Sequence, residues 1–160
     1  MRSGTTTRRR GVAAAETAVV LSVLLVLVFG IIAGGIGAFR HQQVQCFASE
    51  GARWASVRGS GYQSDASGPS PTRQQIVDRA VLPRAVGVRP ADLTVEVAWI
   101  DRATNTVWDW DAAPKDVRSV TAGGEYVSNS VRVTVTYRWT PGALWGARDI
   151  TGVCELPLSN

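Results

Sequence analysis

Between Thr17 and Phe39 the chain carries no charged side chain, and this stretch restricts the fold more than any other feature of the sequence. As an α-helix rising 1.5 Å per residue it reaches about 35 Å, enough to cross a hydrocarbon layer of ~30 Å. The wider segment 12–39 is apolar except for Glu16, Thr17 and Ser22. A chain of 160 residues leaves room for about one folded domain beyond it. The expected organisation is a basic leader over 1–11, a transmembrane helix over 12–39, an exported continuation of that helix over 40–58, and an extracytoplasmic α+β domain over 59–160.

The formal charge of +4 and the pI of about 9.7 would suit a nucleic-acid-binding protein if the charge were spread over the folded part. It is not. Arg2, Arg8, Arg9, Arg10 and Arg40 account for 5 of the 17 basic residues and Glu16 for 1 of the 13 acidic ones, so 12 of each remain beyond Arg40. The part that folds in water is neutral. The arginine run is then a topology signal that holds the N-terminus in the cytoplasm while the rest is exported. The lipid bilayer is the first partner this implies, and nucleic acid is not one.

The membrane segment contains Gly30-x-x-x-Gly34, a spacing that lets a neighbouring helix approach closely. After Arg40 the pattern stays helical but turns amphipathic, with Val44, Phe47, Ala48, Gly51, Trp54 and Ala55 at three- and four-residue spacing. This predicts a helix running on to Val57–Gly59. A Gly-, Ser- and Pro-rich loop follows to Pro71, then a second helix over Thr72–Val86, kinked at Pro83 and ended by Gly87. Three segments alternate with period two and read as half-buried strands: Leu93, Val95, Val97 and Trp99; Val131, Val133, Val135, Tyr137 and Trp139; and Ile150, Cys154, Leu156 and Leu158. A short strand at Thr106–Trp110 pairs with the first across an Asn/Thr turn. The resulting antiparallel sheet of three or four strands needs an apolar cover, and the rod over Arg40–Val57 can supply it.

Little supports catalysis, and no cofactor is implied. His41 stands alone at the membrane edge of the helix, and no nucleophile elbow or phosphate loop occurs. Gly59-Ser60-Gly61 is too short to cradle a phosphate. Asp109, Asp111 and Asp116 lack the spacing of a calcium loop; with Trp108 and Trp110 on the covered side of the sheet, Asp109 and Asp111 face water. Trp54, Trp99 and Trp139 lie on apolar faces and read as core, and Trp145 is the one to check for exposure. Cys46 and Cys154 form an even pair in an oxidising compartment, a candidate disulfide, with two buried thiols as the alternative.

The start of the chain is its most specific part. Arg8-Arg9-Arg10-Gly11 is followed by Val12-Ala13-Ala14-Ala15 and then Glu16, which is the prepilin arrangement of a basic leader, a small residue and a glutamate in the fifth position after it. With Phe29-Gly30-Ile31-Ile32 and Glu50-Gly51-Ala52-Arg53-Trp54-Ala55-Ser56-Val57, the chain resembles the TadE-like family of minor pseudopilins from Flp (tight adherence) pilus systems. The resemblance covers about Arg8 to Gly59. Thr17 stands where pilin-like sequences often carry an aromatic residue, and Ala33 where many TadE-like proteins carry a second acid. What the resemblance implies is cleavage by a prepilin peptidase between Gly11 and Val12, and assembly with other pilins or pseudopilins on a pilus platform. Independently of it, an ionised carboxylate in the hydrocarbon region costs ~3 kcal/mol on insertion scales, so Glu16 is a candidate assembly residue, with a neighbouring subunit's terminal amine as counter-charge. Two other readings stay open: a secreted binding domain whose signal peptide is cut near Gly35–Ala38, and a permanently anchored single-span sensor or scaffold.

Overall fold

The computed structural model describes residues 6–60, 62, 68–140 and 146–159, with the backbone alone over 6–10. The architecture is α+β, with a long N-terminal helix, a second short helix and an antiparallel sheet. The chain divides into two compact units, Met1–Phe39 and Arg40–Asn160. Helix α1 is Thr6–Ser56 and contributes to both.

In the first unit no residue of 11–39 is buried, and the exposed side chains are almost all aliphatic or Phe. The two hydroxyls are satisfied within the helix. Thr17 Oγ1 donates to the Ala13 carbonyl and Ser22 Oγ to that of Val19, each at 2.8 Å, which removes most of the cost of placing them in an apolar surrounding. Among the described residues this is one helix long and apolar enough to cross a membrane.

In the second unit the sheet is built from β1 (Leu93–Asp101), β2 (Thr106–Asp109), β5 (Ser130–Trp139) and β6 (Arg148–Pro157), in the order β2-β1-β5-β6 with every neighbour antiparallel. The strand periodicity predicted the face that is buried. Val95 pairs with Val135, Val97 with Val133 and Trp99 with Val131, and these residues form the core with Val44, Phe47, Ala48, Ala52 and Ala55 of α1. Asn105 takes the left-handed conformation in the β1–β2 turn, where an asparagine is well tolerated. Trp110 is buried, but Trp108 is 48% exposed, contrary to the expected covered position. It sits on the four-residue edge strand β2, all of whose residues are exposed.

The second helix is shorter and more irregular than its periodicity predicted. Helix α2 (Arg73–Ile76) starts with a capping box, in which Thr72 Oγ1 accepts from the Gln75 N–H and Gln75 Oε1 from the Thr72 N–H. It passes into a π turn (Val77–Val81) and a 3-10 turn (Leu82–Arg84). Pro83 explains the change: it has no N–H to donate and its ring crowds the carbonyl four residues back. Gly87, at φ +75°, then turns the chain as only glycine does without strain.

A hairpin of β3 (Arg118–Val120) and β4 (Tyr126–Ser128) forms a separate two-stranded sheet that the sequence reading did not anticipate. It is tied down by Asn129, which is fully buried. The Asn129 amide donates to the Asp116 carbonyl and to Ser119 Oγ, and its Oδ1 accepts from the Arg102 N–H. Its own backbone carbonyl takes the Leu158 N–H. Every polar atom of this side chain is therefore satisfied inside the fold.

Packing is very close where α1 crosses β6. A Cβ on Gly152 would stand 2.8 Å from the Val44 carbonyl carbon and oxygen and 2.9 Å from Gln45 Cα, all backbone atoms that cannot swing aside. Next to it the Gln45 amide pairs with the strand in both directions: Nε2 donates to the Val153 carbonyl at 2.8 Å and Oε1 accepts the Val153 N–H at 3.2 Å. Gly152→Ala is expected to destabilise the protein by about 2 kcal/mol through forced separation of helix and strand, measurable as a lower midpoint in urea. Asp101 supplies a second test. Partial burial works to raise its pKa, but hydrogen bonds from the Ala103 N–H, the Thr104 hydroxyl and backbone, and Ser119 hold the carboxyl below the usual range. A lowered native pKa contributes stability above the unfolded-state value and loses it as pH falls through the native one. Asp101→Asn should therefore be less stable than wild type at neutral pH, and the gap should close on acidification. A gap independent of pH would contradict that origin.

Candidate functional site: the N-terminal helix and an arginine-lined cleft

The residues singled out at the start of the chain all lie on α1. Val12 and Glu16 are one helical turn apart and therefore share a face. Gly30 and Gly34 have the same relation, and a Cβ on either, or on Gly11, would meet nothing within 4 Å. Val12 is 65% exposed and Glu16 is exposed, so these positions are open to whatever surrounds the helix.

Farther along, Cys46 is exposed and Cys154 half-buried, and the two thiols are free. Their neighbours in sequence, Gln45 and Val153, are hydrogen-bonded, so the fold brings the two cysteine-bearing elements together. His41 is exposed. Asp109, Asp111 and Asp116 are exposed, and Asp111 Oδ1 accepts the Arg73 N–H at 2.7 Å, capping the start of α2. Among the described residues no three His, Cys, Asp or Glu side chains converge as metal ligands do. Ser60 donates its N–H to the Lys115 carbonyl, which makes Gly59-Ser60 a tether between loops; Gly61 and Trp145 lie outside the described residues. Of the tryptophans expected in the core, Trp99 is buried, while Trp54 and Trp139 are half-buried against it.

The sequence reading missed a cleft of about 300 Å³ between the end of α1 and the π turn after α2. Glu50, Arg53, Trp54 and Arg58 line it from one side, Arg79 and Arg84 from the other. Arg84 Nη1 lies 3.3 Å from Glu50 Oε1. The Arg58 guanidinium stacks 4.1 Å above the Trp54 ring and donates to the Trp54 carbonyl at 3.0 Å. The helical spacing of Glu50, Arg53 and Trp54 was visible in the sequence. That Arg79 and Arg84 would face them was not, because nothing in either segment specifies how the two elements pack.

From Ala48 to Ala55 the helix can come close to its partners because its buried positions are small residues. A Cβ on Gly51 would stand 3.2 Å from a Val133 methyl and 3.3 Å from a Val81 methyl, and Ala48, Ala52 and Ala55 are wholly buried. The stretch Glu50-Gly51-Ala52-Arg53 thus has a structural reading residue by residue, with two residues turned into the fold and two on the cleft. No curated protein and no solved structure gives a significant match to the chain. A family model does match, over residues 11–53, and its description is TadE-like protein. The match begins at Gly11, includes Glu16 and the glycines of the apolar helix, and ends at Arg53 in the cleft; residues 54–160 lie outside it. Over that N-terminal segment the chain is similar to TadE-like proteins.

Proposed function

We propose that this protein is a minor pseudopilin-like structural component of a Flp-type (tight adherence) pilus system, taking part in pilus assembly or adhesion without catalytic turnover. The observation that carries the reading is the TadE-like match over residues 11–53, which starts at the small residue of the prepilin-like pattern. An apolar helix with no buried residue over 11–39 supports it, since side chains such as Leu24, Val26 and Phe29 are exposed and are stable in lipid rather than water. In this reading the arginines of the leader stay in the cytoplasm, α1 crosses the membrane over 12–39, and the domain over 40–160 is exported.

A prepilin peptidase cuts between Gly11 and Val12, and Glu16 becomes the fifth residue of the mature chain. Its carboxylate pairs with the terminal amine of a neighbouring pilin inside the membrane, where an unpaired charge is costly. Gly30 and Gly34, with open space beside them, allow the neighbouring helix to come close. The partners are thus the bilayer, the peptidase, other pilins or pseudopilins and the assembly platform.

Processing and assembly should separate under mutation. Gly11→Phe is expected to leave an inserted, full-length precursor. Glu16→Ala is expected to insert stably and to be cleaved, yet to crosslink to partner pilins at least tenfold less than wild type. N-terminal sequencing and crosslinking report the two steps. A wild-type chain beginning at Met1 or near Ala38 would sink the pseudopilin reading and favour an anchored scaffold or a secreted binding domain, respectively. A Glu16→Ala chain that starts at Val12 and assembles normally would remove the role given to the glutamate.

A further inference from the structure

We propose that the arginine-lined cleft of the domain over 40–160 is a binding site for an acidic peptide segment of a partner protein, with glutamate side chains as the preferred ligands. Among the described residues the cleft gathers four guanidinium groups, from Arg53, Arg58, Arg79 and Arg84, against one carboxylate, that of Glu50. Beyond Arg40 basic and acidic residues are equal in number, so these groups make a local excess of three positive charges. Like charges gathered in one concavity repel one another, and an anion relieves that repulsion.

Two of the four groups are held in place before any ligand arrives. Arg58 is fixed between the Trp54 ring and the Trp54 carbonyl, and Arg84 is fixed by Glu50. Among the described residues Arg53 and Arg79 make no ion pair or side-chain hydrogen bond, and both are exposed at the mouth of the cleft. They have their full set of N–H donors to offer. A guanidinium presents these in a planar fork that matches a carboxylate, so two free forks on opposite walls suit two carboxylates on one flexible strand.

The apolar part of the lining selects between anions. Trp54 is half-buried, and Val57, on the same wall, is 46% exposed. A phosphate has no use for that surface, whereas the methylenes of glutamate cover it while the carboxylate reaches the guanidinium groups. Lipid headgroups are disfavoured by position, a point that rests on the membrane ending near Arg40 as proposed above. From Arg40 to Arg53 the helix rises about 20 Å, roughly two Debye lengths at ordinary ionic strength. The charge excess and the geometry of the cleft do not depend on that reading.

The test uses the full chain in neutral detergent micelles and a fluorescein-labelled hexaglutamate peptide followed by anisotropy, with inorganic tripolyphosphate as competitor and vesicles containing phosphatidylglycerol as a separate arm. Wild type is expected to bind the peptide saturably, more weakly as salt is raised. Arg53→Gln/Arg79→Gln should lose at least tenfold in affinity, and the matching lysine pair should recover only part of it, because the charge returns without the fork. Arg138→Gln, which removes one charge from the other face of the sheet, should stay within about twofold. Circular dichroism checks that the variants are folded; both cleft positions are exposed, so folding is expected to be intact.

Absence of saturable peptide binding by wild type, or an equal loss in Arg138→Gln, overturns the proposal. Tripolyphosphate displacing the peptide at concentrations far below those of free hexaglutamate overturns the glutamate preference. Vesicle binding that needs Arg53 and Arg79 without any peptide binding overturns the peptide assignment in favour of lipid. None of these outcomes depends on where the N-terminus is cut, so failure here and failure of the pilus reading are distinguishable.

Discussion

The domain over 40–160 depends on one close approach, the backbone of α1 at Val44 against Gly152 of β6. A helix usually rests on a sheet through its side chains, about 10 Å away, but here the absence of a single Cβ lets the two backbones meet. Gly51, Ala48, Ala52 and Ala55 keep the helix low over the rest of the sheet. The apolar face of β1 and β5 is then filled mainly by valines, with Trp99 and Tyr137 the large side chains on it. Close packing at this distance is specific, since each methyl added to the interface must displace something.

The same run of residues links fold to surface. In Glu50-Gly51-Ala52-Arg53 the middle pair faces the core and the outer pair faces the cleft, so one helical turn sets the helix on the sheet and supplies charge to solvent. The π turn over Val77–Val81 carries Arg79 opposite, and its irregular hydrogen bonding follows from Pro83 two residues farther on. A local backbone disturbance thereby sets the position of a charged side chain. By contrast, the apolar helix over 12–39 has no inner face at all, and its chemistry is that of its surroundings.

Periodicity carried most of the fold. Alternation in Leu93–Trp99 and Val131–Trp139 predicted both strands and their buried faces, and the amphipathic stripe of Val44, Phe47, Ala48, Gly51, Trp54 and Ala55 predicted the helix that covers them. The β3–β4 hairpin escaped because each strand is only three residues long, too short for alternation to register, although Gly123-Gly124 marks its turn. Trp108 was placed correctly in a strand but not in its environment, since parity says which face a residue shares and not whether anything covers that face at the sheet's edge. For the candidate sites the division is similar. Gly11, Val12 and Glu16 could be singled out as candidates because the pattern that marks them is local. The arginine cleft was not, because its two walls come from segments some twenty to thirty residues apart and each reads alone as a solvated face.

Gln45 has an effect on what the domain can join to. Strand β6 closes one side of the sheet, and an exposed strand edge is a template on which another chain can extend the ladder. By taking both the N–H and the carbonyl of Val153, the Gln45 amide imitates one rung of a neighbouring strand and occupies the middle of that edge. A foreign strand aligned along β6 would find its central rung already filled and α1 standing over Gly152. It would be left with short flanks on either side, too few rungs for a stable pair. A helix side chain thus ends the sheet on this side, and two copies of the chain are steered away from merging through β6.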